Sequence, residues 1–442
     1  MRKLFVLLFL MSFFLLHSSA QEARIKVACV GNSITFGAGI KDRENHTYPV
    51  MLGRMLGTEY EVKNFGFSAR TLLNKGDRPY MKETMFQDAL NYLPDVVVIK
   101  LGTNDTKPKN WRFKKDYPID METMVNAFRS LSSHPKVYLC YPAKAYAVQW
   151  GINDSIIVNE VIPMIDQIAK KMGLTVIDLH TPTEGMKELF PDNIHPNPKG
   201  AAVLAREVYK AITNRSVGTK VLFIGDSITD GNWGGGGSKS SAERNHWDQN
   251  HIFGSGYMYL CAAHYMGMYP ERDYHFINRG ISGNTLRDLN KRWKRDVIDE
   301  KPNVLSILIG TNDIDQVLSS NQKSFDFANW EHRYRSLIES SLKENPQLKL
   351  VLCSPFVFKS GSMFQKPNFA LRDSLVRQAV RVVKKIASDY HATFLNYQQL
   401  FDELYYKYPA ISDSYWIWDG IHPTPAGHEK MSETWIQSVG DF

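Results

Sequence analysis

An apolar run ending in a turn of small residues occurs twice in this chain, as KVACVGNSITFGAG over Lys26–Gly39 and as KVLFIGDSITDGNW over Lys220–Trp233. The residues after each copy repeat as well. The first half carries the β-rich runs IKVACVG, YEVKNFG, DVVVIKLG, KVYLCYP and LTVIDL, and the second carries KVLFIGD, YHFINRG, NVLSILIG, KLVLCSP and ATFLNY. Runs such as VVVIKL and VLSILI are apolar on both faces, as strands inside a parallel sheet must be. Between the runs lie segments such as SIIVNEVIPMIDQIAKKMG and LRDSLVRQAVRVVKKIASDYH, with apolar residues at helical spacing. This alternation predicts an α/β fold built twice, each time around a five-stranded parallel sheet with helices on both faces. The polar stretch Thr213–Thr219 reads as a linker, so one domain is expected over 21–214 and a second over 219–442.

The chain opens with Arg2 and Lys3, then an apolar run from Leu4 to Leu16, then Ser18 and Ala20 at the spacing of a cleavage site before Gln21. That is the pattern of a secretory signal peptide over 1–20, and the run is shorter than the roughly 20 residues that cross a bilayer. Export to the periplasm or beyond is the expectation, with no membrane insertion after cleavage. The net charge of +7 is spread along the chain without a long basic block, which argues against a nucleic-acid partner. Four cysteines do not make a disulfide scaffold at this length. Cys29, Cys140 and Cys353 fall in strand-like runs and Cys261 in a helix-like one, so buried free thiols are expected.

In open parallel sheets, ligands bind where the loops leave the carboxyl ends of the strands. There stand Gly31-Asn32-Ser33, Asn64-Phe65-Gly66, Gly102-Thr103-Asn104-Asp105 and Asp192-Asn193-Ile194-His195 in the first half. The second half matches them with Gly225-Asp226-Ser227, Asn278-Arg279-Gly280, Gly310-Thr311-Asn312-Asp313 and Asp419-Gly420-Ile421-His422. A serine hydroxyl becomes a nucleophile when an imidazole takes its proton, and a carboxylate on the other ring nitrogen holds the tautomer. Ser33, His195 and Asp192 can fill those roles, as can Ser227, His422 and Asp419. The backbone N–H of Ser33, that of Gly66 and the amide of Asn104 are candidate oxyanion donors, repeated by Ser227, Gly280 and Asn312.

These four blocks resemble those of the SGNH (GDSL-type) hydrolase family, across nearly the whole chain after residue 20. The resemblance implies a flavodoxin-like three-layer fold in each half, metal-independent ester hydrolysis without a cofactor, and the roles just given. The first half departs from the pattern at Asn32, where the second has Asp226, and at Ala69, where the second has Gly283. Tandem exported units of this type are similar to carbohydrate O-acetylesterases, including sialate- and xylan- or pectin-deacetylating ones. The implied partner is therefore an O-acetylated carbohydrate. A lipase, lysophospholipase or thioesterase of the same family is the alternative, as is a glycan-binding protein with one vestigial site. Trp111, His251 and Trp418 are candidate sugar contacts. No set of side chains shows the spacing of a metal site. The Gly-rich stretch Trp233–Ser241 lacks the Gly-Lys-Ser/Thr ending of a phosphate-binding loop.

Overall fold

The computed structural model describes residues 24–231 and 253–442. The expected signal peptide, the Gly-rich stretch and His251 lie outside the described residues. The chain divides into two compact units between Val208 and Tyr209, inside the helix Pro198–Thr213 and upstream of the stretch expected as a linker.

The first unit holds β1 (Ile25–Gly31), β2 (Tyr60–Gly66), β3 (Val96–Lys100), β4 (Lys136–Cys140) and β5 (Thr175–Ile177), all parallel in the order β2-β1-β3-β4-β5. The pleat sends alternate residues to opposite faces. Ala28, Val30, Val97, Ile99, Val137 and Leu139 pack with Phe86, Tyr117, Met121, Phe128 and Ile165 from the helices Thr84–Asn91, Tyr117–Arg129 and Ile162–Met172. Their neighbours Val27, Cys29, Val98, Tyr138 and Cys140 are equally buried, so helices cover the second face too. Tyr48, Leu52 and Met55 of the helix Tyr48–Leu56 and Leu204, Ala205 and Val208 of Pro198–Thr213 are also buried.

The second unit repeats the arrangement with β6 (Lys220–Gly225), β7 (His275–Gly280), β8 (Val304–Leu308), β9 (Lys349–Cys353) and β10 (Thr393–Leu395), ordered β7-β6-β8-β9-β10. The helix Tyr257–Met268 packs on Pro425–Val439, while Leu286–Trp293, Phe327–Glu344 and Phe369–Asp389 pack in series. Five parallel strands with helices in two layers, in the flavodoxin-type strand order, are therefore present twice. All four cysteines are buried and free. No helix among the described residues is long and apolar enough to cross a membrane.

Register places the functional loops. Gly31 pairs with Gly66 on one side and Lys100 on the other, and Gly225 pairs with Gly280 and Leu308. Three strand ends are thus level in each sheet, and the chain leaves each of them toward the same crevice.

Candidate active sites

In each unit the central strand runs straight into a one-turn helix, Ser33–Phe36 or Ser227–Asp230. Asn32 and Asp226 cap these helices, accepting from Ile34 N–H at 3.3 Å and Ile228 N–H at 3.0 Å. The serine is thereby the first helical residue, with its hydroxyl at the crevice. Thr35 and Thr229 tie the turns to Tyr48 and Tyr257, each at 3.3 Å.

The imidazole arrives from the loop before the last helix. His195 Nε2 lies 2.8 Å from Ser33 Oγ, and His195 Nδ1 lies 2.7 Å from Asp192 Oδ2. In the second unit His422 Nε2 is 2.8 Å from Ser227 Oγ, and His422 Nδ1 is 2.6 Å from Asp419 Oδ2. The other carboxylate oxygen of each aspartate accepts two backbone N–H groups, from Ile194 and His195 or from Ile421 and His422. The three-residue spacing of Asp and His therefore makes a closed turn that aims both side chains. Burial pushes the carboxyls of Asp192 and Asp419 upward, but their hydrogen bonds outweigh it and hold both below the usual aspartate value. The hydrogen bond that His422 donates to Asp419 raises the His422 pKa above the ordinary imidazole value, with burial opposing and the charges of Asp419 and Asp226 adding to the rise.

Asn104 Nδ2 donates to Arg70 O at 3.1 Å, and Asn312 Nδ2 to Asn284 O at 3.1 Å. One amide hydrogen of each remains for another acceptor. Asp105, fully buried, accepts from Leu73 N–H at 2.8 Å and Asp313 from Leu286 N–H at 3.0 Å, fixing the β3 and β8 loops to the β2 and β7 loops.

Gly66 and Gly280 do not offer the donors expected of them. Their N–H groups donate to Asn64 Oδ1 and Asn278 Oδ1, each at 2.8 Å. Their role is close approach: a Cβ on Gly66 would stand 2.2 Å from Phe36 N, and one on Gly280 would stand 2.2 Å from Asp230 N. The N–H groups of Ala69 and Gly283, three residues further on, have no partner among the described residues. Both sit in the left-handed region, at φ 66° and 79°. Gly283 lines a cavity of about 610 Å³ with Ser227, Asn312, Trp418 and His422. The N–H groups of Ser33 and Ser227 are likewise unpaired among the described residues.

Trp111 is 7 % exposed and packs edge-on against Tyr117 with centroids 5.9 Å apart, so it is a core residue rather than a wall of the crevice. Trp418 is 58 % exposed and stacks on His422 at 6.0 Å. A residue that no sequence motif singles out, Trp150, is 57 % exposed with its ring 5.5 Å from that of His195. The cavity of the second unit also holds His428, whose Nδ1 accepts from Tyr257 N–H at 3.1 Å. Its hydrogen is therefore on Nε2, and burial lowers its pKa to about 4, keeping it neutral.

The departure at Asn32 is matched by a second one beneath it. Lys100, fully buried, reaches Asn32 Oδ1 at 3.4 Å and Thr103 Oγ1 at 3.1 Å, where the second unit has Leu308 in the same register. Burial lowers the Lys100 pKa to about 7, and burial raises that of Asp226 to about 7. The acid under one serine is replaced by an amide and a base under the other.

Fold and site together define a hydrolase of the SGNH class, with a serine, imidazole and carboxylate in line at the switch point of a parallel sheet. The chain belongs to the GDSL-like Lipase/Acylhydrolase family, whose model matches residues 29–203 and again 223–430. It is 46 % identical over 211 residues to an acetylxylan esterase of Xylanibacter ruminicola, covering 43 % of this chain and 44 % of that protein. The chain thus spans less than half the length of that relative. It is 34 % identical over 230 residues to an acetylxylan esterase of Geobacillus stearothermophilus, covering 50 % of this chain and 94 % of that protein. The crystal structure of an acetylxylan esterase from Geobacillus stearothermophilus is similar at 31 % identity and a TM-score of 0.41, over 51 % of this chain and 96 % of that one.

Proposed function

We propose that this protein is an exported serine esterase that removes O-acetyl groups from carbohydrates, acetylated xylan first among them, and that both units turn over. The observation that carries the chemistry is the unbroken Ser–His–Asp line in each unit, at 2.6–2.8 Å throughout. The names of the two curated relatives favour acetyl xylan over sialate or pectin as the substrate. The charged and apolar segments before Gln21 support export.

In the first unit, Ser33 Oγ bonds to the acetyl carbonyl carbon as its proton passes to His195 Nε2. Asp192 holds the ring and stabilises the imidazolium. The N–H groups of Ser33 and Ala69 and the amide of Asn104 receive the developing oxyanion. The C–O bond to the sugar then breaks, and the sugar oxygen takes the proton back from His195. Water, deprotonated by the same imidazole, releases acetate and restores Ser33. Ser227, His422, Asp419, Gly283 and Asn312 repeat these steps in the second unit.

The test is acyl-chain and substrate preference, read as acid released from acetylated xylan, acetylated pectin, O-acetyl sialic acid and p-nitrophenyl esters of increasing length. Acetate release from xylan, with activity falling as the p-nitrophenyl acyl chain lengthens, is expected. Faster turnover of long acyl chains than of acetyl would replace this reading with that of a lipase.

A further inference from the structure

Trp150 stands at the tip of a tight turn in the segment after β4. Gln149 and Ile152 pair as an antiparallel bridge, with Ile152 N–H donating to Gln149 O at 2.9 Å. Both residues between them are left-handed, Trp150 at φ 52° and Gly151 at φ 82°. A two-residue turn of that sign favours Asn, Asp or Gly at its first central position. A bulky aromatic there is an outlier, of a kind that persists only where the surroundings over-determine it and that clusters at functional sites.

The surroundings do over-determine it. Asn153 N–H donates to Thr106 Oγ1 at 3.1 Å, and Tyr146 N–H donates to Asn193 O at 2.8 Å. Ile152 packs with Ala145, Ile157 and Ile194. The base of the turn is thus fastened to the β3 loop and to the loop that carries Asp192 and His195. The indole it displays is not buried by this arrangement; it is set beside His195 with more than half its surface open.

The second unit sets an exposed indole beside its imidazole by another route. Trp418 precedes Asp419 directly, whereas the first unit has Pro191 at that position. There the segment after β9 is folded down on the catalytic loop, with Phe358 N–H donating to Gly420 O at 2.9 Å and Met363 N–H to Asp419 O at 3.0 Å. Two unrelated chain positions therefore deliver the same group to the same place. The ring planes differ, at 43° to the imidazole for Trp150 and 22° for Trp418.

An aromatic face joined to a few polar donors is the lining that orients a small organic ligand. The apolar C–H face of a pyranose ring fits an open indole, and its ester then meets the serine. We propose that Trp150 is the platform on which the first site seats the sugar ring bearing the acetyl group. Its separate origin and tilt present that ring to Ser33 at another angle than Trp418 presents one to Ser227, so the two sites favour different acetylated positions. This rests on the carbohydrate reading of the sites.

The test uses the full chain carrying Ser227→Ala, so that only the first site reports. Trp150→Asn suits the turn and removes the face; Trp150→Phe keeps a smaller face. On an acetylated xylooligosaccharide, Trp150→Asn is expected to raise KM about tenfold or more with kcat little changed, and Trp150→Phe to fall between. Loss on p-nitrophenyl acetate, which has no sugar ring, is expected to be much smaller. Equal losses on both substrates, or a fall confined to kcat, would mean that Trp150 serves only to hold His195 and would overturn the proposal. Unchanged kinetics on the oligosaccharide would overturn it as well. If the Ser227→Ala protein cleaves p-nitrophenyl acetate but no acetylated sugar, the carbohydrate reading fails, and this inference falls with it.

Discussion

At the scale of single residues, the two sites share their reacting groups and differ in the charge behind them. His422 titrates above the ordinary imidazole value of about 6.5, and only its neutral form can take the serine proton. In a Ser33→Ala protein, kcat/KM should therefore fall on acidification through a midpoint above that value. Asp226 contributes to the rise, so Asp226→Asn should move the midpoint to lower pH. An unmoved midpoint would remove Asp226 from the account. Lys100 bears on stability in a similar way. Its folded pKa, about 7, is below its unfolded one, so between the two the unfolded chain binds the extra proton and stability rises with pH. The cost of burying it is full below pH 7 and gone above the unfolded value. Lys100→Met should consequently raise Tm more at pH 6 than at pH 10, and an equal gain at both would contradict the assignment. On the proposed mechanism each amide donor carries transition-state charge, so Asn312→Ala in the Ser33→Ala background should lower kcat by about 10²–10³ without loss of fold. A change confined to KM would assign Asn312 to substrate binding instead.

At the scale of elements, glycine positions separate packing from chemistry. Gly280→Ala forces a Cβ to 2.2 Å from Asp230 N, backbone that cannot swing aside. It should cost about 3 kcal/mol or more, by analogy with overpacked cores. Gly283→Ala meets nothing within 4 Å and pays only for its positive φ, about 1–2 kcal/mol. The first unit already carries Ala69 in that conformation, so activity should survive. Thermal unfolding of the two variants checks the contrast, and equal destabilisation would refute it. The same positions show what sequence could convey. The ten strands were legible because runs such as VVVIKL are apolar on both faces, and the four blocks were legible because their residue types serve only together. That the Gly66 and Gly280 N–H groups are already engaged was not legible, because it depends on where a backbone group points. A signal for it did exist: Asn two residues before Gly, in Asn64-Phe65-Gly66, is placed to accept that glycine's own N–H. Trp111 and Trp150 both lie in the segments between strands, and tertiary packing alone decides that one is buried and the other displayed.

At the scale of the whole molecule, the two units hold the same Ser–His–Asp geometry and differ in buried charge and in the origin of the exposed indole. A vestigial copy has no need to keep a serine, imidazole, carboxylate and amide in register. The central claim is that both serines turn over acetyl esters, and acetate release from acetylated xylan by Ser33→Ala, Ser227→Ala and the double variant tests it most directly. Each single variant should retain part of the activity and the double variant should retain none above background. If either single variant alone abolishes release while remaining folded, the other unit is not a catalyst and the account of two working sites is wrong.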